Sequence, residues 1–143
     1  MFGVQWDLVL KYLETKGATQ SELKTNSTSW GNYRNNLWNI TNTSSKYAID
    51  GSNWTSGAYG EKTATASILL STGASDTFSK QGIYDLAGNV WEWTLEKTSY
   101  ASSPCAYRGG SYSNYGSSYP ASYRDSSYAT YSNSSIGFRV TLY

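Results

Sequence analysis

Residues 82–94 have the sequence Gly-Ile-Tyr-Asp-Leu-Ala-Gly-Asn-Val-Trp-Glu-Trp-Thr. Residues 85–89 predict a tight turn, because Gly88 and Asn89 are residue types that tolerate positive φ angles. The residues after the turn alternate as in a β-strand. This alternation predicts one face with Val90, Glu92 and Thr94, and another with Trp91, Trp93 and Leu95. Because two tryptophans on one face form a large apolar anchor, we expect Trp91 and Trp93 to be mostly buried.

Two further motifs follow in the chain. Residues 107–112 read Tyr-Arg-Gly-Gly-Ser-Tyr, and residues 136–140 read Ile-Gly-Phe-Arg-Val. In order and spacing, the three motifs resemble those of the formylglycine-generating (sulfatase-modifying factor) family over residues 78–143. The resemblance implies an α+β fold, a loop-rich variant of the C-type lectin-like fold with a small, irregular antiparallel sheet. For this fold we also predict that Phe138 is mostly buried and that Gly109 and Gly110 allow close backbone packing.

Composition indicates one folded domain, residues 1–143, with few aliphatic residues but 6 Trp and 14 Tyr. We therefore expect a core that relies on aromatic side chains. The formal net charge of +1 argues against nucleic-acid binding. No segment is long and apolar enough for a membrane span, and no signal peptide is visible. A single cysteine excludes an intrachain disulfide. The absence of histidine excludes catalytic triads that contain histidine and metal sites with histidine ligands.

The first part of the chain shows a helical pattern over residues 5–15, ending near Gly17. The pattern consists of Trp6, Val9, Leu10 and Leu13. The segment resembles a helix from the middle of the family fold, so three alternatives are open: a fragment, an N-terminally truncated fold, or a fold completed by a partner chain. Residues 19–22 fit a capping box. Residues 25–60 predict a long ordered loop pinned by aromatic residues, and residues 63–70 predict a strand.

The composition changes abruptly after Lys97. The first 97 residues hold 22 Lys, Glu, Gln, Trp and Met residues, whereas the last 46 hold none of these types and nine of the 14 tyrosines. One interpretation is a low-complexity Tyr/Ser-rich tract. The other starts from the genetic code: randomising the adenines of AAC or AAT codons yields Asn, Tyr, Ser, Asp, Gly, Thr and Ala, but never the five missing types.

The second interpretation matches adenine-directed mutagenesis by diversity-generating retroelements. The chain resembles their variable proteins of the formylglycine-generating type, and we predict a variable region over residues 98–135. Tyr with Ser, Gly and Asn is also the composition of antibody-type binding surfaces. Gly116, Pro120 and Arg124 are predicted to be scaffold positions. The predicted ligand-facing residues are Tyr100, Tyr107, Ser113, Asn114, Tyr115, Ser118, Tyr119, Tyr123, Asp125, Ser127, Tyr128, Tyr131 and Asn133.

The resemblance also bears on catalysis and on metal binding. Family enzymes use a cysteine pair shortly after the Gly-Gly-Ser motif, but residues 112–119 contain no cysteine, and Cys105 precedes Arg108. We therefore expect no enzyme activity and no required cofactor. Family members bind calcium at the turn, and the matching positions here are Asp85, Gly88, Val90 and Glu92. The alternative is that Asp85 caps the turn while Glu92 pairs with an arginine.

These observations lead to three hypotheses. The first is a non-catalytic protein with a diversified surface for an unknown protein or cell-surface ligand, located on a phage particle or a bacterial cell surface. The second is a formylglycine-generating-family homologue that has lost its catalytic cysteines. The third is a plain lectin or interaction module without diversification.

Overall fold

The computed structural model describes residues 1–140. Its first element is helix α1, Gly3–Thr15, which buries Trp6 and Leu13. The helix ends where the N–H of Ala18 donates to the carbonyl of Leu13 and Gly17 adopts a φ of +97°. The predicted helix and its glycine stop are therefore confirmed. No helix within residues 1–140 has the length and hydropathy needed to cross a membrane.

The segment that follows α1 is more regular than the sequence predicts. The predicted capping box is confirmed, since Thr19 and Glu22 exchange side-chain and backbone hydrogen bonds. A π-helical turn, Ser21–Thr25, and a 3-10 turn, Thr28–Trp30, follow. The predicted loop 25–60 then contains short strands, each too brief to show a periodic pattern. They are β1 (Trp38–Ile40), β2 (Lys46–Ile49), β3 (Trp54–Ser56) and, at its end, β4 (Gly60–Lys62).

The second half of the chain supplies the remaining strands. A 3-10 turn, Asp76–Phe78, lies among them. The predicted strand 63–70 is shortened to its last three residues. The strands are β5 (Ile68–Leu70), β6 (Ser79–Lys80), β7 (Ile83–Tyr84), β8 (Trp91–Lys97), β9 (Cys105–Arg108), β10 (Arg124–Ser127) and β11 (Ile136–Phe138).

The described residues form an α+β structure with four small sheets rather than one. The largest has the order β10-β9-β8-β11, and a three-stranded sheet has the order β3-β2-β5. Two-stranded sheets join β1 to β4 and β6 to β7. All strand pairs are antiparallel except β11 with β8, so the small antiparallel sheets agree with the expectation, and this one parallel pair is an addition to it.

Aromatic and aliphatic residues share the core. One cluster lies between α1 and the turn at residues 85–89 and includes Trp6, Trp30 and Tyr33 together with several leucines. A second cluster packs Trp38 and Phe78 against β5. The predicted aromatic core is therefore confirmed only in part, because Leu and Ile fill the space between the rings.

The predicted turn is confirmed and lies at the centre of the fold. Asp85, Gly88 and Asn89 all have positive φ, at 54°, 71° and 58°. The buried Asn89 side chain accepts from the N–H of Leu70 at 3.1 Å and donates to its carbonyl at 3.1 Å. Its backbone N–H donates to the carbonyl of Asn32 at 2.8 Å. One side chain thus takes the place of a strand neighbour for β5 and ties three segments together.

The Gly-Gly pair behaves as predicted. A Cβ atom on Gly109 would lie 2.8 Å from the carbonyl oxygen of Leu86, and one on Gly110 would lie 2.6 Å from that of Tyr119. Both residues have positive φ. The single hydroxyl proton of Tyr33 is shared between the carbonyls of Gly109 and Tyr119, at oxygen–oxygen distances of 2.8 and 2.9 Å, which joins the backbone on both sides of the pair.

Strand β8 corrects the predicted core face. Trp91 is buried as expected, but Trp93 is only half-buried, and Leu95 and Phe138 are 70% and 77% exposed. The face that packs towards α1 is instead the one with Glu92 and Thr94, both buried. The prediction failed because ion pairs and hydrogen bonds satisfy the polar side chains on that face, which periodicity cannot show.

Replacement of Asn89 by Ala tests the central turn. The variant leaves the N–H and carbonyl of Leu70 buried without partners and places Ala in a left-handed conformation. We expect the free energy of unfolding to fall by about 3–5 kcal/mol in chemical denaturation. The exposed Asn53→Ala control should change it by less than about 0.5 kcal/mol. Equal losses in the two variants would contradict this role of Asn89.

Candidate ligand-binding surface

A row of four side chains crosses the largest sheet on the face away from α1. Asp125 of β10 pairs with Tyr107 of β9, Tyr107 pairs with Trp93 of β8, and Trp93 pairs with Phe138 of β11. Residues paired in this way point to the same side of a sheet. The rings of Trp93 and Tyr107 meet edge to face, with centroids 5.2 Å apart.

Tyrosines from three segments cover Trp91 on the same face. The centroids of Tyr107, Tyr119 and Tyr123 lie 5.0, 5.6 and 6.0 Å from that of Trp91, all in edge-to-face geometry. Trp91 is 8% exposed as a result, while Tyr123 remains 38% exposed. We call this surface the aromatic face. It consists of Trp91, Trp93, Tyr107, Tyr119, Tyr123, Asp125 and Phe138.

Tyr107 lies at the centre of the aromatic face and keeps its proton. Partial burial is the largest cause that raises its pKa to about 12, and the negative charge and hydrogen bond of Asp125 contribute to the same increase. The hydroxyl is therefore neutral at physiological pH and can both donate and accept a hydrogen bond. An amphipathic ring with a neutral hydroxyl suits contact with a ligand better than a buried phenolate would.

Ion pairs hold the opposite face of the sheet in place. Arg124 pairs with Glu96 at 2.6 Å, and Arg139 pairs with Glu92 at 2.6 Å. The buried Arg108 pairs with Asp7 of α1. Because these contacts and the helix anchor the polar face, the aromatic face can remain uncovered.

None of the 13 predicted ligand-facing residues is buried: seven are exposed and six are half-buried. The aromatic face brings together Tyr107, Tyr119, Tyr123 and Asp125. Tyr128 and Tyr131 form an edge-to-face pair with ring centroids 5.7 Å apart. Tyr131 also lies close enough to Tyr107 to contribute to its raised pKa. Ser127 follows Asp125 on β10, where it pairs with Cys105.

The other predicted residues lie on loops. In the loop 113–118, the carbonyl of Asn114 accepts from the N–H of Arg34 at 2.8 Å, which fixes the backbone of this loop. The next residue, Tyr115, is 47% exposed. Ser113 and Ser118 are exposed on the same loop. Tyr100 is 66% exposed on the loop between β8 and β9, and Asn133 accepts from the N–H of Ser135 at 2.9 Å. Within residues 1–140, the rings of Tyr100 and Tyr115 form no stacked or edge-to-face pair with the rings of the aromatic face.

The predicted scaffold positions are placed as expected at two of three sites. Gly116 and Pro120 are buried, and a Cβ atom on Gly116 would lie 2.6 Å from the backbone of Thr28. Arg124, in contrast, is exposed and lies on a strand rather than in a turn. Its long side chain reaches Glu96 across the surface, so its anchoring role does not require burial.

Sequence reasoning missed the contribution of Trp93 and Phe138 to this surface. Together with Phe2, Leu95 and Val140 they line an apolar groove of about 370 Å³ that adjoins the aromatic face. The sequence did contain a signal for Phe138. Neighbouring residues of a strand point to opposite faces, so an Arg139 that pairs with Glu92 on the helix side places Phe138 on the other side.

The predicted metal ligands surround the turn. One carboxylate oxygen of Asp85 accepts from the N–H of Gly73 at 2.9 Å, and the other is buried with no hydrogen-bond partner in the described part of the chain. Burial raises the pKa of Asp85 to about 6, against the opposing effects of the Gly73 hydrogen bond and of Arg139. Gly88 is buried and Val90 half-buried beside it.

Glu92 already has a cationic partner. Its two oxygens accept from the Arg139 guanidinium at 2.6 and 2.8 Å, and Arg139 also donates to the carbonyl of Tyr84. The arginine pair is that of the alternative interpretation, whereas the Asp85 carboxylate accepts from Gly73 of another segment instead of capping its own turn. As long as the pair between Glu92 and Arg139 is intact, the one carboxylate oxygen at this turn that is available to a hard cation is the unpaired oxygen of Asp85. Calcium at this turn stays a prediction.

Comparison with family models relates this arrangement to known proteins. The model of the sulfatase-modifying factor enzyme 1-like domain matches residues 1–142. The chain belongs to this family. Comparisons with curated proteins and with solved structures found no match.

In this sulfatase-modifying factor enzyme 1-like domain, the lone cysteine is part of the sheet. Cys105 is half-buried at the start of β9, where it pairs with Ser127 and Lys97. The position after the Gly-Gly-Ser motif, where the resemblance places a catalytic cysteine pair, holds Tyr112 and the loop 113–118. Tyr112 is buried, and its hydroxyl lies 3.2 Å from that of Ser134.

Asp85 predicts a measurable pH dependence. Its pKa is raised from 3.8 to about 6 in the folded state. Its contribution to stability is therefore complete below pH 3.8 and is lost as the pH rises through 6. Asp85→Asn removes this loss, so from pH 4 to pH 7 the variant should gain about 2 kcal/mol relative to the parent protein. Denaturation curves that keep a constant difference across this range would contradict the raised pKa.

Calcium has a separate readout in thermal unfolding. If the turn binds calcium, a concentration one hundred times the Kd should add about 2.7 kcal/mol to the stability of the parent protein. Asp85→Asn should lose that increment, and chelation should reverse it. Identical melting curves with calcium and with chelator would leave the Gly73 hydrogen bond of Asp85 and the Arg139 pair of Glu92 as the complete description of the site.

Proposed function

We propose that this protein is a non-catalytic ligand-binding protein that displays a diversified Tyr/Ser/Asn-rich surface on a C-type lectin-like scaffold. On this proposal it is the target protein of a diversity-generating retroelement. Residues 98–135 are the variable region, and the aromatic face is the main part of its binding surface.

The observation that carries the proposal is the alternation of free and packed positions within residues 98–135. Every predicted ligand-facing residue is exposed or half-buried. The motif residues between them are buried: Gly109, Gly110, Ser111, Tyr112, Gly116, Pro120 and Ala121. A surface that tolerates many sequences needs this separation, because changes at buried positions disturb packing whereas exposed substitutions usually change stability by less than about 0.5 kcal/mol.

The side chains of the aromatic face suit protein recognition. Tyrosine presents a large apolar area with a polar hydroxyl and loses little conformational entropy on binding. The edge-to-face contacts among Trp91, Tyr107, Tyr119 and Tyr123 hold the rings in place before a ligand arrives. Such preorganisation lowers the entropic cost of association.

The composition of the variable region favours this proposal over a plain calcium-dependent lectin. Asp125 is the single carboxylate of residues 98–135. A sugar site built around calcium needs several convergent oxygen donors, and Asp125 is already engaged with Tyr107. We therefore propose a protein or cell-surface ligand, with the domain on a phage particle or a bacterial cell surface.

The proposal also includes the absence of the family's oxidation of a substrate cysteine. That chemistry needs two reactive sulfurs, and the chain holds one cysteine, placed before the Gly-Gly-Ser motif. Incubation with copper and a peptide that carries the sulfatase cysteine motif should give no aldehyde by mass spectrometry. Turnover would overturn the proposal that the protein is non-catalytic.

Replacement of tyrosines tests the surface. Tyr115, Tyr123 and Tyr128 are 47%, 38% and 53% exposed, so changing all three to Ser should leave the protein folded, with a loss of stability limited to the cover that Tyr123 gives Trp91. The same change should abolish binding to material captured from host-cell surfaces, because tyrosine anchors dominate such interfaces.

A matched control is Tyr12→Ser, on the exposed side of α1, at 44% exposure. It should retain full binding. Equal binding by the triple variant and by this control would place the ligand elsewhere on the protein.

The genetic locus provides an independent test. We expect a near-copy of the segment encoding residues 93–143 close to the coding sequence, with adenines at the variable codons, next to a reverse transcriptase. Sequencing the locus decides this. A locus with neither feature would contradict diversification and leave an interaction module with a fixed surface.

A further inference from the structure

The three-stranded sheet carries a second candidate site, outside the variable region. Trp54 of β3 pairs with Ala48 of β2, and Ala48 pairs with Leu69 of β5, so the three side chains form an apolar row on one face. Lys46 lies two residues from Ala48 on the same face of β2. The N–H of Ser71 donates to the carbonyl of Lys46 at 2.9 Å, which continues the sheet pairing and sets a polar row beside the apolar one.

A hollow of about 480 Å³ opens on this face. Its apolar wall consists of Trp54, Leu69 and Val90, and its polar wall includes Lys46, Ser71 and Thr72. This volume lies within the roughly 300–1,000 Å³ of small-molecule sites. It fits a ligand of one or two rings.

Trp54 is placed as an uncovered stacking surface. It is 53% exposed, and within residues 1–140 no aromatic ring packs against it. The other five tryptophans are buried or, in the case of Trp93, half-buried against Tyr107. A large exposed ring beside a hollow has apolar area that a ligand ring can remove from water.

Lys46 supplies an uncompensated positive charge at the same hollow. Its side chain is exposed, and no carboxylate of the described chain forms an ion pair with it. The hydroxyl oxygen of Ser71 accepts from the N–H of Lys46 at 3.0 Å, so its own proton is directed elsewhere. An ammonium group and a hydroxyl donor side by side suit a carboxylate.

We propose that this hollow binds a small ring that carries a carboxylate. The ring stacks on Trp54 with its apolar edge against Leu69 and Val90, and the carboxylate accepts from the Lys46 ammonium and the Ser71 hydroxyl. Two sources share this chemistry, an acidic pyranose such as a uronic acid and an aromatic carboxylate. No lining residue falls within residues 98–135, so this site is independent of the diversified surface and does not rest on the proposed function.

Two pairs of probes test the site by calorimetry or by quenching of tryptophan fluorescence. The first pair is methyl glucuronide and its neutral counterpart methyl glucoside, and the second is indole-3-carboxylate and indole-3-carboxamide. We expect at least one carboxylate to bind, and to bind about fivefold or more tightly than its neutral counterpart. The pair that shows the preference identifies the source. Absence of binding by both carboxylates at millimolar concentration, or equal binding of charged and neutral probes, overturns the proposal.

Variants separate the two contacts. Trp54→Ala should weaken the carboxylate about tenfold or more, and Trp54→Phe should restore part of the affinity. Lys46→Gln should remove the preference for the carboxylate and leave the weaker binding of the neutral probe unchanged. Lys97→Gln, an exposed lysine at the end of β8, is the matched control and should bind like the parent protein. Melting temperatures verify folding, and unchanged binding in folded Trp54→Ala would overturn the proposal.

Discussion

The rest of the structure depends on the buried Asn89 side chain in its left-handed turn. Its amide hydrogen-bonds both backbone groups of Leu70, and its oxygen also accepts from Asn32 at 3.0 Å. The backbone of the same residue joins Asn32 on one side and Tyr112 on the other. Short strands of three or four residues cannot stabilise one another by pairing alone. A buried amide that replaces a missing strand neighbour lets these small sheets form one core.

The turn also sets the direction of β8, and thereby decides which residues of this strand face α1 and which face the opposite side of the largest sheet. Polar and charged residues of this strand face α1 and find partners there or on the neighbouring strands, as Glu92 does with Arg139. The tryptophans face the other way, where tyrosine rings pack against them. This inverts the usual arrangement, in which the apolar face of a sheet packs on a helix. The inversion leaves a fixed aromatic base, Trp91 and Trp93, beneath residues that the proposed function takes to be variable.

The two candidate sites use aromatic rings in different ways. The aromatic face is broad, its rings support one another, and its polar groups are hydroxyls with one carboxylate, a composition suited to a large ligand. The hollow beside Trp54 is small and pairs one unsupported ring with one free cation. The first lies mainly within residues 98–135 and the second wholly outside them. Under the proposed function, diversification changes the ligand of the first site and leaves that of the second unaffected.

The sequence by itself determined the local features whose causes lie within a few residues. These are α1 and its glycine stop, the capping box at Thr19, the turn at residues 85–89, the Gly109–Gly110 approach and the family. The alternation of tyrosines with Gly116 and Pro120 also indicated which positions are exposed. The tertiary structure decided the short strands, the parallel pairing of β11, the exposure of Phe138 and the side of β8 that faces the core. Each of these depends on partners distant in the chain, such as Arg139 for Glu92, and a periodic pattern contains no information about whether a polar residue will find one.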